Sequence, residues 1–156
     1  MQPILDACCG SRMFWFEKEN KNAVFCDNRK LETRLCDGRT LIVNPDLVAD
    51  FTALPFENNS FYMVVFDPPH LIQAGATSWL AKKYGVLPDN WEEVLSNGFT
   101  ECMRVLKPHG TLIFKWNAEQ IPTSKVLRLF KHKPLFGDRR GKTRWIVFMK
   151  EADHER

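Results

Sequence analysis

The segment Pro3-Ile4-Leu5-Asp6-Ala7-Cys8-Cys9-Gly10 is a short apolar run that ends in a glycine, which predicts a buried strand followed by a tight turn. Ser11 then stands at an N-cap position, which predicts a helix that continues through Phe16. The segment Ala23–Asp27 predicts a second buried strand, and its aspartate follows the first turn by roughly 20 residues, as in dinucleotide-binding folds. This order indicates the start of an α/β sheet.

Two later segments repeat the pattern of an apolar run that finishes on an aspartate. They are Leu47–Asp50 and Tyr62–Asp67, and strands that are apolar along their whole length favour a parallel sheet covered on both faces. Between the two pairs of strands, Leu35–Ile42 carries the Asp-Gly signal of a tight hairpin.

The second half of the chain continues the alternation of helices and strands. The pattern predicts a helix over Pro88–Leu106, a strand over Thr111–Trp116, a short helix over Pro122–Leu129, and an antiparallel hairpin formed by Lys133–Phe136 and Thr143–Met149. The sequence therefore predicts a doubly wound, mostly parallel sheet with a C-terminal antiparallel hairpin, and a single domain over residues 1–156.

Length and composition exclude several classes of protein. A chain of 156 residues with 44% hydrophobic and 26% charged residues is an ordinary globule, not a disordered or fibrous chain. It has no apolar run near the roughly 20 residues of a membrane span, and its first residues lack the basic stretch of a signal peptide. The five cysteines contain no C-x-x-C pair, so we expect buried thiols in a reducing compartment, no metal centre and a cytoplasmic location.

Four aspartates occupy the carboxyl ends of the predicted strands, where an open α/β sheet binds its ligand. They are Asp6, Asp27, Asp50 and Asp67. A single aspartate at such a position often caps the next turn, but four on consecutive strands indicate a ligand site.

Position suggests a role for the residues at the first three strand ends. Gly10 lets the backbone approach a ligand, and the acid Asp6 beside it is suited to an ammonium group. Asp27 is placed to accept hydrogen bonds from both hydroxyls of a ribose. Asp50 can accept from an adenine amino group while Phe51 covers the ring.

The fourth strand leads into Asp67-Pro68-Pro69-His70, the candidate catalytic segment. Two prolines make the turn rigid and remove its amide hydrogens, so the turn presents two acceptors, the Asp67 carboxylate and the Pro68 carbonyl. Two acceptors at one point suit an NH2 group, and His70 can stack on a planar substrate. The alternative is a rigid loop that only ends a buried strand.

These residues together resemble a class I S-adenosylmethionine-dependent methyltransferase. Ile4–Gly10 resembles the family's first motif without its second glycine, Asp50–Phe56 resembles its adenine-contacting segment, and Arg104–Leu112 resembles its L-K-P-G-G turn with His109 in place of a glycine. The resemblance implies S-adenosylmethionine as cofactor, with a cofactor-binding set of Asp6, Ala7, Cys8, Gly10, Asp27, Asp50 and Phe51.

The segment Asp67–His70 resembles the [DNS]-P-P-[YFW] motif of the DPPY-type amino-group methyltransferases, which act mostly on adenine, with His70 in place of the aromatic residue. The resemblance implies direct transfer of a methyl group to nitrogen, with Asp67 and the Pro68 carbonyl orienting the amine. It implies no covalent enzyme intermediate and no metal.

Basic residues interleaved with aromatic ones predict a nucleic-acid interface. Lys131–Lys150 holds seven basic residues and one acid, which gives it a charge of +6 in a chain of net charge +3. The candidate contacts are Trp79, Lys82, Lys83, Tyr84, Lys115, Arg139, Arg140, Lys142 and Arg144. The alternative is a solvated hairpin, with Trp79, Tyr84 and Trp145 packed in the core.

The sequence therefore predicts methyl transfer to an exocyclic amino nitrogen, adenine N6 in DNA or RNA. The chain leaves little room for a target-recognition domain, so we expect low selectivity or a protein partner that supplies recognition. Two alternatives stay open: a methyltransferase that acts on a small molecule or a protein amide, and a non-catalytic module that binds S-adenosylmethionine and nucleic acid. The sequence leaves the oligomeric state undetermined.

Overall fold

Seven strands form one sheet in the computed structural model, which describes residues 1–72, 81 and 85–152. In chain order the elements are β1 (Ile4–Asp6), β2 (Ala23–Asp27), β3 (Leu31–Arg34), β4 (Thr40–Val43), β5 (Leu47–Val48), β6 (Phe61–Phe66), α1 (Trp91–Val105), β7 (Leu106–Asn117), α2 (Thr123–Phe130), β8 (Phe136–Arg140) and β9 (Thr143–Met149). Strands β3 and β4 form a separate antiparallel pair, which confirms the predicted Asp-Gly hairpin.

The strand order of the sheet is β5-β2-β1-β6-β7-β9-β8. Strands β5, β2, β1, β6 and β7 are parallel to one another, and β9 pairs antiparallel with both β7 and β8. This topology confirms the predicted fold class. The chain progresses in one direction from β1 to β5 and in the other from β6 onward, so a topological switch point lies between β1 and β6. Open α/β sheets bind ligands at such a point.

Both helices of the described residues pack on one face of the sheet. Phe99 of α1 stacks on Phe130 of α2 with ring centroids 4.2 Å apart, and Phe130 contacts Phe114 on β7 with centroids 5.0 Å apart. Phe66 and Phe148, from β6 and β9, complete this aromatic core, and both side chains are fully buried. Among the residues described, no helix is long and apolar enough to cross a bilayer.

The other face is covered near β1 and β2 by residues 7–22, and the predicted helix from Ser11 to Phe16 is wrong. Gly10 and Arg12 both have left-handed backbone, with φ of 51° and 59°. The Lys18 ammonium donates to the carbonyl oxygens of Arg12 and Trp15 at 2.8 and 3.1 Å, so a side chain satisfies acceptors that helix amides would otherwise take. The segment is therefore an irregular loop, in which Trp15 packs edge-on against Phe25.

Other boundaries also differ from the sequence prediction. The third predicted strand ends at Val48, two residues before Asp50. Strand β7 begins at Leu106 and contains the predicted turn as an irregularity: His109 has a left-handed φ of 65°, and the register with β6 shifts between Phe61 and Met63. The predicted first arm of the last hairpin, Lys133–Phe136, is wrong, since β8 begins only at Phe136. Lys131 ends α2 in a left-handed conformation and Pro134 lacks an amide hydrogen, so pairing starts later. The predicted segment from Trp79 to Tyr84 lies outside the described residues, apart from residue 81.

Candidate active site

A cleft opens at the carboxyl ends of β1, β2, β6 and β7, beside the switch point of the sheet. Five of the predicted cofactor-binding residues line it: Ala7, Cys8, Gly10, Asp27 and Phe51. All four residues of the candidate catalytic segment, Asp67–His70, line the same cleft, together with Lys115. The fold thus brings most of the predicted site together.

A hydrogen bond from Gly10 holds the first turn against the end of β2. Its amide nitrogen donates to Oδ2 of Asp27 at 2.9 Å, and its φ of 51° is one that glycine adopts without strain. Oδ1 of Asp27 accepts from the Arg29 amide nitrogen at 3.0 Å, and the Arg29 Nε lies 3.5 Å from the same oxygen. These bonds hold the Asp27 carboxylate at the wall of the cleft, where only 6% of the residue is exposed.

Asp6 lies beneath the cleft and does not line it. It is completely buried, and its two carboxylate oxygens accept from Trp15 Nε1 at 2.8 Å and from the Cys8 amide nitrogen at 3.3 Å. Burial raises the pKa of Asp6 to about 7, against the hydrogen bond from Trp15, which lowers it. In this arrangement the carboxylate is directed toward donors of the protein itself.

Phe51 forms part of the cleft wall, whereas the side chain of Asp50 is exposed outside it. The Phe51 ring packs edge-on against Phe66 with centroids 5.3 Å apart. Oδ1 of Asp50 accepts from the amide nitrogen and the hydroxyl of Thr52 at 2.8 and 2.7 Å. Asp50 thus closes a local turn that presents Phe51.

Asp67 forms an ion pair with Lys115, its Oδ2 lying 3.6 Å from the lysine Nζ. The two side chains are 20% and 25% exposed. Burial raises the pKa of Asp67 to about 6, and the charge and hydrogen bond of Lys115 act against that rise. The sequence predicted Lys115 as a nucleic-acid contact, whereas the structure brings it to the candidate catalytic carboxylate.

His70 is half-buried in the cleft, with its ring edge-on to Trp116 at a centroid distance of 6.3 Å. Burial, and then the charge of Lys115, lower the pKa of His70 to about 4. The imidazole is therefore neutral near pH 7. A neutral planar ring stands where the resemblance leads one to expect an aromatic side chain.

The basic residues of the last hairpin lie away from the cleft and divide between the two faces of the sheet. Arg139 is directly opposite Arg144 in the β8–β9 register, so their side chains share one face, and Arg140 projects from the other. Lys142, in the turn, pairs with Glu119 at a distance of 3.2 Å between Nζ and Oε2. Trp79, Lys82, Lys83 and Tyr84, the other predicted contacts, lie outside the described residues.

Sequence reasoning missed two aromatic residues near the site. Phe14 lines the cleft, and its ring packs edge-on against Trp145 with centroids 5.3 Å apart. Trp15 donates to Asp6 from below. Both belong to the aromatic run Phe14–Phe16 of the predicted helix, and this run is the sequence feature that could have identified them. In the described part of the chain, no group of three or more His, Cys, Asp or Glu side chains is arranged to hold a metal ion.

At the level of sequence, no family model and no curated protein matches this chain. Solved structures do match. A Pyrococcus horikoshii protein is 16% identical with a TM-score of 0.60, over 95% of this chain and 82% of that one. A SAM-dependent methyltransferase from Methanosarcina mazei is 13% identical with a TM-score of 0.58, over 98% and 95%. The complex of the Haloferax volcanii Trm112 methyltransferase activator with a protein assigned as a methyltransferase gives 14% identity and a TM-score of 0.56, over 98% and 83%. These likenesses show that the chain has the fold of class I methyltransferases.

Proposed function

We propose that this chain transfers a methyl group from S-adenosylmethionine to an exocyclic amino nitrogen, adenine N6 in DNA or RNA. One observation carries the proposal: Asp67-Pro68-Pro69-His70 follows β6 at the switch point and lines the same cleft as Gly10 and Asp27. The carboxylate and the two prolines thus adjoin the turn that resembles a cofactor-binding motif, in a fold that methyltransferases share.

The residues at the first two strand ends fit the cofactor. The left-handed turn at Gly10 leaves the backbone beside the cleft uncovered by a side chain, and Asp27 supplies an acceptor for ribose hydroxyls at the cleft wall. The ring of Phe51 is a surface for a base. When bound, S-adenosylmethionine supplies a methyl group made electrophilic by the sulfonium charge.

On the acceptor side, Asp67 and the Pro68 carbonyl are the proposed acceptors for the two hydrogens of an amino group. Those hydrogen bonds turn the nitrogen lone pair toward the methyl donor, so the segment contributes mainly by positioning. The N–CH3 bond forms as the S–CH3 bond breaks, and the nitrogen releases one proton. With a pKa of about 6, the Asp67 carboxylate is mostly ionised at neutral pH and can accept that proton.

The hairpin supports a polyanionic acceptor. Arg139 and Arg144 are opposite each other on adjacent strands, where like charges repel, and an anion bound between them would relieve that repulsion. A phosphate group of a nucleic-acid backbone would supply that anion. One similar structure is a complex with a methyltransferase activator. We propose that this chain also has a protein partner, and that this partner supplies target recognition.

The test is transfer of radioactive methyl from S-adenosylmethionine to separate pools of duplex DNA, single-stranded DNA, RNA and protein. Digestion of the labelled product should yield methylated adenosine, and Asp67→Ala should abolish the label. Asp37→Ala is a matched control, because Asp37 is also an aspartate paired with a basic residue but lies in the β3–β4 hairpin outside the cleft.

Other results would redirect the proposal. Label in the protein pool would favour a side-chain amide as acceptor. Absence of label from every pool, with the cofactor bound normally, would favour a small-molecule acceptor or a non-catalytic binding module.

A further inference from the structure

The ion pair between Asp67 and Lys115 follows from the register of two neighbouring parallel strands. Phe66 on β6 pairs with Phe114 on β7, so Asp67 and Lys115 are the next residues along the two strands. Because side chains alternate along a strand, Lys115 projects to the face opposite α1 and α2. Its ammonium reaches Asp67 at 3.6 Å.

Two aromatic rings also lie close to the Lys115 ammonium. The Lys115 Nζ lies 5.6 Å from the ring centroid of Phe14 and 5.8 Å from that of Trp145. Trp145 is the direct cross-strand partner of Lys115, and Phe14 packs against the edge of Trp145. Cation–π attraction to these rings and the charge of Asp67 together confine the ammonium to the floor of the cleft.

The groups that face Asp67 give Lys115 a distinct role. Asp6 on β1 is a second carboxyl group close enough to interact with Asp67, and His70 on the same loop is neutral near pH 7. Cys8 in the first turn stays a neutral thiol, because burial raises its pKa well above the usual value. Burial favours protonated Asp67, and Lys115 supplies the opposing positive charge.

We propose that Lys115 is a positioning residue, whose ammonium keeps the Asp67 carboxylate ionised and fixed at the acceptor side of the cleft. This proposal rests on the proposed function, in which ionised Asp67 accepts hydrogen bonds and a proton from the amine. Lys115 itself touches no reacting atom in this scheme. It acts through Asp67, so its removal should change the pH at which the site works.

The first test measures the ionisation of Asp67 without any methyl transfer. Carboxyl-carbon NMR of protein labelled at aspartate, with Asp67 assigned from its loss in Asp67→Asn, gives the midpoint of titration. Lys115→Met should raise that midpoint by about 1 to 3 pH units, the usual effect of losing an opposite charge at this distance. Lys115→Arg should keep it near the wild-type value.

Lys107→Met is the matched control. Lys107 is on the same strand and also lies against an aromatic ring, with its Nζ 4.1 Å from the ring centroid of Tyr62, but it is at the far end of β7. Its replacement should leave the Asp67 midpoint unchanged. Lys115→Gln provides a second neutral variant, so that a folding defect of the methionine variant does not decide the result.

The second test is the pH profile of methyl transfer. In Lys115→Met the acid limb should move to higher pH by the same amount as the NMR midpoint, with most of the rate recovered above the new limb, and Lys115→Arg should restore the original limb. A lysine that only contacts substrate would instead lower the rate at every pH. That result, or an unchanged NMR midpoint in both neutral variants, would overturn the proposal.

The two tests separate this proposal from the proposed function. A raised midpoint in a protein whose wild type labels none of the nucleic-acid or protein pools would refute the proposed acceptor and still support the control of Asp67 by Lys115. An unshifted midpoint in an active enzyme would refute the role of Lys115 and leave the methyltransferase assignment intact.

Discussion

Replacement of Gly98 by alanine should disturb the cleft from behind, through Phe51. Gly98 lies in the middle of α1, where an added Cβ would be 2.6 Å from Cδ1 of Phe51 and 2.9 Å from Cζ of Phe66. Carbon atoms pack best about 3.5 to 4.0 Å apart, so the Phe51 ring must move by about 1 Å. Phe51 is the ring we assign to the adenine of the cofactor.

Gly98→Ala should not raise the free energy of unfolding, although glycine to alanine within a helix usually does. Replacing glycine by alanine within a helix raises the free energy of unfolding by about 1 kcal/mol when space is available for the added methyl group. Overpacking a filled core costs about 1 to 3 kcal/mol. Gly98→Ala should therefore range from no gain to a loss of about 2 kcal/mol in the free energy of unfolding, measured by urea denaturation.

Binding of S-adenosylmethionine, measured by calorimetry, should weaken by about tenfold, since loss of a base–aromatic contact is worth about 1 to 3 kcal/mol. The double variant Gly98→Ala with Phe51→Leu removes the clash, so it should recover stability while its affinity stays low. A full gain of about 1 kcal/mol in Gly98→Ala would refute the close contact. An unchanged affinity in a destabilised variant would refute the role of Phe51.

Three further predictions concern ionisation, loop packing and phosphate contact. Burial in the folded state raises the pKa of Asp67 from 3.8 to about 6, so protonated Asp67 stabilises the fold below pH 4, and this stabilisation is lost as the pH rises through 6. The free energy of unfolding of the wild type, measured by urea denaturation, should therefore fall by about 3 kcal/mol over that range because of Asp67, and Asp67→Asn should remove this fall. Arg104 donates to the carbonyl oxygen of Leu54 at 3.0 Å and pairs with Glu101, whose Oε1 accepts from the Leu54 amide nitrogen at 2.9 Å. Arg104→Met should therefore cost roughly 2 kcal/mol and speed hydrogen exchange at the Leu54 amide, whereas unchanged exchange would exclude a role for these bonds in holding the loop. Arg139→Ala should reduce by about one the slope of log affinity for nucleic acid against log salt, while Arg128→Ala on α2 should not, and equal slopes would remove Arg139 from the interface.

Much of the sheet was predictable because its parallel strands carry their own signal. A strand covered on both faces is apolar at nearly every position, as in Phe61–Phe66, and few other structures produce so short and continuous an apolar run. The helix Trp91–Val105 was predictable from its one-sided apolar spacing. In both elements the local pattern and the tertiary packing require the same residues.

The loop after β1 could not be predicted, because distant contacts decide its conformation. Ser11 and the aromatic residues after it have the local pattern of a capped helix. The observed backbone depends on the bond from Trp15 to the buried Asp6, on the Arg12 guanidinium 3.8 Å above the ring of Phe25, and on Lys18 bonding to loop carbonyls. A pattern of residue types contains none of these pairings.

The same limit explains which part of the site escaped prediction. Gly10, Asp27 and Asp67 were identifiable since each stands at a turn or a strand end, a position the sequence reveals. The pairing of Asp67 with Lys115 depends on the register of β6 and β7, and the contact of Phe14 with the cleft depends on the irregular loop. Strand register and loop path depend on tertiary structure, so Lys115, which was predicted from its charge alone, could not be placed within the site from the sequence.

The switch point brings two acidic strand ends together, and the structure separates their titrations. Asp6 and Asp67 end or follow adjacent strands, and both are shifted toward the protonated form by burial. Asp6 is given a neutral donor, the indole of Trp15, and has a pKa of about 7, while Asp67 is given a cation, Lys115, and has a pKa of about 6. Neighbouring carboxyl groups whose environments separate their pKa values are typical of sites that assign them different roles. Lys115 thus favours ionisation of Asp67, the carboxyl group that faces the cleft, while burial favours protonation of Asp6 beneath it, which limits the repulsion between them.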